Sequence, residues 1–163
     1  MKLATQLAFL GLLMPLVIVG CGLRIFDVKK RYDTPNKHVT DETFRDNIST
    51  FESYRSNIVT TPIIFDDNMS DSIGGVCTKW LRSKKIVYRE ITINTEYWDS
   101  ISEAQQQQLI DHELGHCELN RGHNDEKLEN DQPASIMNSY VFGLNEIRYM
   151  ELNLDYYIDE LFN

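Results

Sequence analysis

Apolar and polar positions divide the chain into stretches of different character. From Leu3 to Val19 the sequence is mostly apolar, carries no charged residue and follows a single Lys2. Residues 22–39 hold several basic side chains and Pro35 with little apolar periodicity, and read as a tether. Either Thr40 or Asp41 suits a helix N-cap, and Phe44, Ile48 and Phe51 then recur at i, i+4 and i+7, with Arg55 at i+11. That stripe predicts a helix over about 41–57. The stretch 58–65 is β-branched and apolar around Pro62, which predicts an edge or starting strand, and 66–75 is a loop by composition. Over 86–94, Ile91 and Ile93 alternate with Glu90, Thr92 and Asn94, the pattern of a half-buried strand. Ser100 and Glu103 have capping-box spacing ahead of Gln105 to Gln108, which predicts a helix from residue 101 or 102 to about 119. An acidic loop follows at 124–134, and Ile147, Met150, Leu154, Ile158 and Leu161 predict one C-terminal helix over 144–162.

Composition bounds this picture without altering it. A chain of 163 residues, 42% hydrophobic and 25% charged, has room for one globular domain. A net charge of −9, with no basic run beyond Lys29-Lys30-Arg31, argues against a nucleic-acid partner. At the N-terminus, Lys2 and the apolar run match the two leading regions of a secretory signal. The run ends in Ile18-Val19-Gly20-Cys21, which resembles the lipobox of bacterial lipoproteins. The resemblance implies cleavage before Cys21, acylation of its thiol and new amino group, and a lipid anchor on the exported side of the cell envelope. Gly22 stands where an Asp would, by the same resemblance, favour the inner membrane, so the outer membrane is the expected location. The alternative is an uncleaved span, for which the run is nearly long enough.

Removing residues 1–20 takes away Lys2 and no acid, leaving a net charge of −10. With Cys21 acylated, Cys77 and Cys117 remain, and two thiols in an oxidising compartment predict a disulfide. It would close 41 residues, a constraint worth roughly 4 kcal/mol in the chain-entropy model. Two buried free thiols are the alternative, as is Cys77 acting as a latency ligand.

The chemistry concentrates in His112-Glu113-Leu114-Gly115-His116. Two histidines four apart lie one turn apart on one helix face and can share a Zn²⁺ ion. Glu113, about 100° round the helix, can reach a water at the ion without ligating it, the position of a general base. His123 comes seven residues after His116, and Ser135-Ile136-Met137-Asn138 follows the acidic loop. Over roughly 86–140 the sequence resembles the metzincin clan of zinc peptidases, whose pattern is H-E-x-x-H-x-x-G-x-x-H followed by a Met-containing turn. The resemblance implies His112, His116 and His123 as zinc ligands, Glu113 as base and Met137 as the Met-turn support. His123 lies eleven residues after His112 where the clan has ten. Asn120, three before His123, takes the place of the clan's helix-ending Gly and tolerates a left-handed backbone, with Gly122 the rival. Asp125 is an alternative third ligand, and Tyr140 a transition-state contact offset by one residue from the clan's tyrosine.

The expected molecule is therefore a single α+β domain of zincin type with a small mixed sheet, an active-site helix and a C-terminal helix. Its parts are a lipoprotein signal at 1–20, a lipidated Cys21 and tether at 21–39, and a metallopeptidase-like domain at 40–163. The expected function is zinc-dependent hydrolysis of peptide or protein substrates, the substrate pairing with an exposed strand such as 86–94. The alternative is a non-catalytic zinc-stabilised envelope lipoprotein that binds or assembles partners. For the anchor, cells fed a clickable fatty acid should label the protein through Cys21. Equal labelling of a Cys21→Ser variant, or none of the wild type, would contradict it.

Overall fold

Ile63, Ile91, Ile93 and Cys77 are fully buried, and they set the inner face of a four-stranded sheet. The computed structural model describes residues 26–163; the expected signal segment and Cys21 lie outside the described residues. The strands are β1 (Phe26–Arg31), β2 (Ile63–Asp66), β3 (Gly75–Arg82) and β4 (Lys85–Asn94), in the order β1-β3-β4-β2. β3 and β4 are antiparallel, whereas β1 runs parallel to β3 and β2 parallel to β4. A 3₁₀ turn at Glu42–Phe44 leads into α1 (Arg45–Arg55), and α2 (Thr95–Ser100) precedes α3 (Glu103–Cys117). The chain closes with α4 (Leu144–Leu152) and α5 (Leu154–Phe162). The domain is α+β, as the sequence pattern indicates. Among the described residues, no helix is long and apolar enough to cross a membrane.

The helices cover the isoleucine face. Leu109, Ile110 and Leu114 of α3 are fully buried and join Phe44, Phe51 and the sheet residues in one apolar cluster. Phe44 stacks at 4.6 Å on Phe65 and meets Trp98 edge-on at 5.0 Å, which fixes α1 and α2 against the sheet. Ile136, Met137, Phe142, Ile147, Met150, Tyr157 and Leu161 extend the same cluster from the C-terminal third.

Several elements depart from the sequence pattern for definable reasons. The tether reading of 22–39 gives way at its first half: Phe26–Arg31 form β1, paired with Gly75 to Trp80. β3 itself has no alternating pattern, because Thr78, Lys79 and Trp80 are all buried in succession. Its hairpin to β4 turns on Ser83 and Lys84, both at positive φ (50° and 66°), a conformation usually signalled by Asn-Gly. The early strand is confined to Ile63–Asp66, beyond Pro62. The first helix begins as a 3₁₀ turn capped by Asp41 and stops at Arg55, where Ser56 turns left-handed at φ 52°. The capping box of α3 lies at Ser102 and Gln105, not Ser100 and Glu103; Ser100 instead ends α2, a helix capped by Asn94. The C-terminal stripe breaks at Asn153 (φ −126°, ψ 32°), whose side chain donates back to the Tyr149 carbonyl and so splits one helix into two.

Cys77 on β3 and Cys117 at the end of α3 are joined by a disulfide, with Cα atoms 5.7 Å apart. Replacing both by Ala should lower the unfolding free energy by about 3–4 kcal/mol, read from urea denaturation. A loss under about 1 kcal/mol would contradict the stapling role.

Candidate metal centre

Along α3 every residue from Gln108 to Cys117 is buried, so this helix runs through the domain rather than over it. A helix buried all round can hold polar side chains only where they have work or partners. His112 and His116 lie one turn apart with ring centroids 4.6 Å apart. His123 reaches them from the loop after the helix, its centroid 5.3 Å from His112 and 4.8 Å from His116. One ligand nitrogen from each of the three lies within 4.8 Å of the other two, and the Nε2 atoms of His116 and His123 are 3.1 Å apart. Two nitrogens bound tetrahedrally to one zinc at about 2.0–2.1 Å stand ~3.3 Å apart, a spacing the His116–His123 pair nearly has, and three imidazoles are a suitable donor set for one such ion.

Ring orientation is set by backbone carbonyls. His112 Nδ1 lies 2.8 Å from the Ile136 carbonyl, and His116 Nδ1 lies 2.8 Å from the Arg121 carbonyl. A carbonyl only accepts, so each Nδ1 carries the proton and each Nε2 keeps its lone pair for the shared space. Burial, reinforced by the neighbouring His116, holds the His112 pKa well below the usual histidine value, so the ring stays neutral as a ligand must.

The third histidine depends on how α3 ends. Asn120 takes the left-handed conformation at φ 58°, and no described glycine has positive φ, so Asn120 and not Gly122 makes the turn. The Leu119 N–H reaches the Leu114 carbonyl five residues back, and the Arg121 N–H reaches that of Gly115. A five-residue bond widens the helix by one residue. That widening absorbs the extra residue between His116 and the turn, and leaves His123 beside the other two. Asp125 is occupied elsewhere: its carboxylate accepts from the Ser139 N–H and hydroxyl at 2.7 and 2.9 Å. Tyr140 is exposed, and its N–H donates to Asn138 Oδ1 at 3.1 Å. The fourth histidine, His38, lies against Glu90 at 2.5 Å.

Two glycines make close approaches possible. A Cβ on Gly115 would overlap Met137 Sδ, so the fully buried Met137 packs directly against the backbone of α3 at that residue. A Cβ on Gly75 would stand 2.8 Å from Glu113 Oε1 and 3.0 Å from its Cδ. Glu113 is therefore lodged against the bare backbone at the start of β3. By composition Gly75 ends a loop, and its being a glycine at the start of a strand is the only mark of the close approach.

Further residues that the sequence did not suggest hold the loops. Glu160 on α5 accepts from Ser135 Oγ at 2.5 Å and from Arg121 at 2.6 Å, while Arg121 Nη1 also donates to the Leu161 carbonyl at 2.6 Å. Ser135 Oγ in turn accepts the Met137 N–H at 2.9 Å. Both loops whose carbonyls orient the histidines are thus tied to one carboxylate, 39 residues beyond Arg121 and 25 beyond Ser135. Beside His112, the Asp111 carboxyl is pushed up to about 7 by burial, although Gln107 and Tyr54 donate to it.

Residues 71–138 match the model of a family described as "Putative phage metallopeptidase". The match runs from the loop before β3 through Gly75, all three histidines, Glu113 and Met137. No curated protein and no solved structure shows significant similarity to the chain.

The Gly75 contact gives a separable outcome. Gly75→Ala should leave bound metal per chain unchanged while lowering peptide turnover by at least about tenfold, because the added Cβ displaces only the carboxylate. Unaltered turnover, or lost metal with intact folding, would contradict this placement.

Proposed function

We propose that this protein is a zinc-dependent endopeptidase in which His112, His116 and His123 hold the ion and Glu113 is the general base. The observation that carries the reading is the convergence of three histidine donors, two of them on α3 beside the buried Glu113 carboxylate of the same helix. The partial family match points the same way, since it covers this set of residues. When bound, zinc supplies Lewis acidity, polarising a carbonyl and lowering the pKa of water.

The chain's own residues do the rest. Glu113, held between α3 and Gly75, takes the proton of the attacking water and passes it to the leaving amine nitrogen. The Ile136 and Arg121 carbonyls hold the imidazoles in one tautomer and one orientation. Met137, buried against Gly115, supports the helix that carries two of the ligands with an apolar, uncharged side chain. A purely structural zinc module gives Glu113 no chemical role. That weighs against the alternative of a non-catalytic binding module.

As part of the same proposal, the enzyme sits on the exported side of a bacterial envelope, tethered through Cys21. The Cys77–Cys117 disulfide supports an oxidising compartment. The resemblance to metzincins supports the ligand assignment, with the widened end of α3 accounting for the one-residue offset.

Zinc-loaded protein should cleave members of a peptide library, lose activity to a chelator and regain it with added zinc. Glu113→Gln should bind the metal equally and cleave about 10²–10⁴-fold more slowly. A Glu113→Gln protein that binds zinc and cleaves at the wild-type rate would overturn the mechanism.

A further inference from the structure

The strand that touches Glu113 has an outer edge, and a segment of the chain already lies along it. β3 is bonded to β4 on one side and to β1 on the other. In the second ladder Phe26 stands opposite Gly75 and Arg31 opposite Trp80. Its first rung is therefore at the residue packed against the Glu113 carboxylate. Any extended chain on this edge brings its backbone alongside that carboxylate and the helix that carries His112 and His116.

β4 does not offer this, although its alternation suggested it. Near the site Ile91 and Ile93 are paired with both β3 and β2. Its stretch without β2 begins short of Ile91, and Tyr88, in a groove lined by Thr60 to Pro62 and Ile86 to Arg89, is five residues from Ile93. At the rise of an extended strand that is about 17 Å from the rung at Gly75.

β1 lies at the margin of the sheet, where the Arg31 guanidinium stands over the Trp80 ring of β3 at 5.4 Å from its centroid. It is an outermost strand, Lys29, Lys30 and Arg31 are exposed, and Val28 is only half-buried. None of the side chains described in it belongs to the apolar cluster. Main-chain ladder bonds make few demands on sequence, so one extended chain can replace another on such an edge.

We propose that the outer edge of β3 is the docking edge for an extended peptide, and that β1 occupies it in cis as an exchangeable strand. A substrate enters by displacing β1; that the incoming chain is a substrate rests on the peptidase reading. β1 thereby lowers the enzyme's apparent affinity for every peptide that must compete with it.

The test uses the full zinc-loaded chain carrying Glu113→Gln, so that the probe stays whole. The probe is a fluorescent, end-blocked hexapeptide copying residues 26–31, followed by anisotropy. Val28→Pro with Lys29→Pro removes two successive N–H donors from β1, whichever of them faces β3. The proline variant should bind the hexapeptide at least tenfold more tightly than the chain without it. Equal affinity, with the disulfide and one zinc per chain retained, would overturn the proposal.

Amide exchange on the unmodified chain reads the same point without a variant. Amides of Gly75 to Trp80 that face β1 should exchange at least tenfold faster than those facing β4. Equal protection of the two sets would overturn it. Neither readout needs turnover, so tighter binding beside a wild type that cleaves nothing would refute the peptidase reading and leave the edge assigned.

Discussion

The contact between β3 and α3 is the constraint on which the site depends. Successive same-face residues of the strand, Gly75, Cys77 and Lys79, meet Glu113, Cys117 and Asn120 along the helix and its terminal turn. The spacing is physical: alternate strand residues advance about 6–7 Å, close to the reach of one helical turn or slightly more. One rung is a close approach, one a covalent bond and one a hydrogen bond of 2.8 Å from Lys79 Nζ to Asn120 Oδ1. Together they fix the depth, rotation and end of the helix that carries two of the three histidines and Glu113. The last rung also explains the buried Lys79: burial lowers its pKa, and the bond to Asn120 gives the ammonium a partner at the residue that makes the left-handed turn.

A second layer supports the first from the opposite side. The chain after His123 doubles back, with the Asn124 N–H donating to the Met137 carbonyl, and places Met137 under Gly115. Glu160 on α5 joins that turn to the loop carrying Arg121. The helix breaking at Asn153 lets α5 take its own direction, and Tyr156 and Tyr157 donate to the carbonyls of Ala134 and Pro133 just before the turn. The C-terminal helix therefore does more than close the core: it sets the carbonyl of Ile136 against His112.

Much of this was legible in the sequence where local patterns carry the information. The histidine spacing, the isoleucine alternation of β4 and the pairing of the two cysteines each follow from nearby residues or simple counting, and the resemblance to metzincins implied the αL role of Asn120. The rest depends on partners distant along the chain. β3 carries buried polar residues because Lys79 finds Asn120 and Thr78 faces Glu90 across the hairpin, so its hydrophobic alternation is lost. β1 is a strand only because β3 offers an edge, and its basic residues give no sign of it. Gly75 reads as a loop glycine until Glu113 is seen against it, and Glu160 as one more acid on an exposed helix until Arg121 and Ser135 converge on it. In each case the missing information was tertiary.

Three imidazoles and no thiolate form the proposed donor set, and zinc-edge X-ray absorption of the loaded protein tests it most directly. That set predicts one zinc per chain with three imidazole nitrogens at about 2.0–2.1 Å, one further light ligand and no sulfur. A sulfur shell at about 2.3 Å, or fewer than three imidazoles, would contradict it.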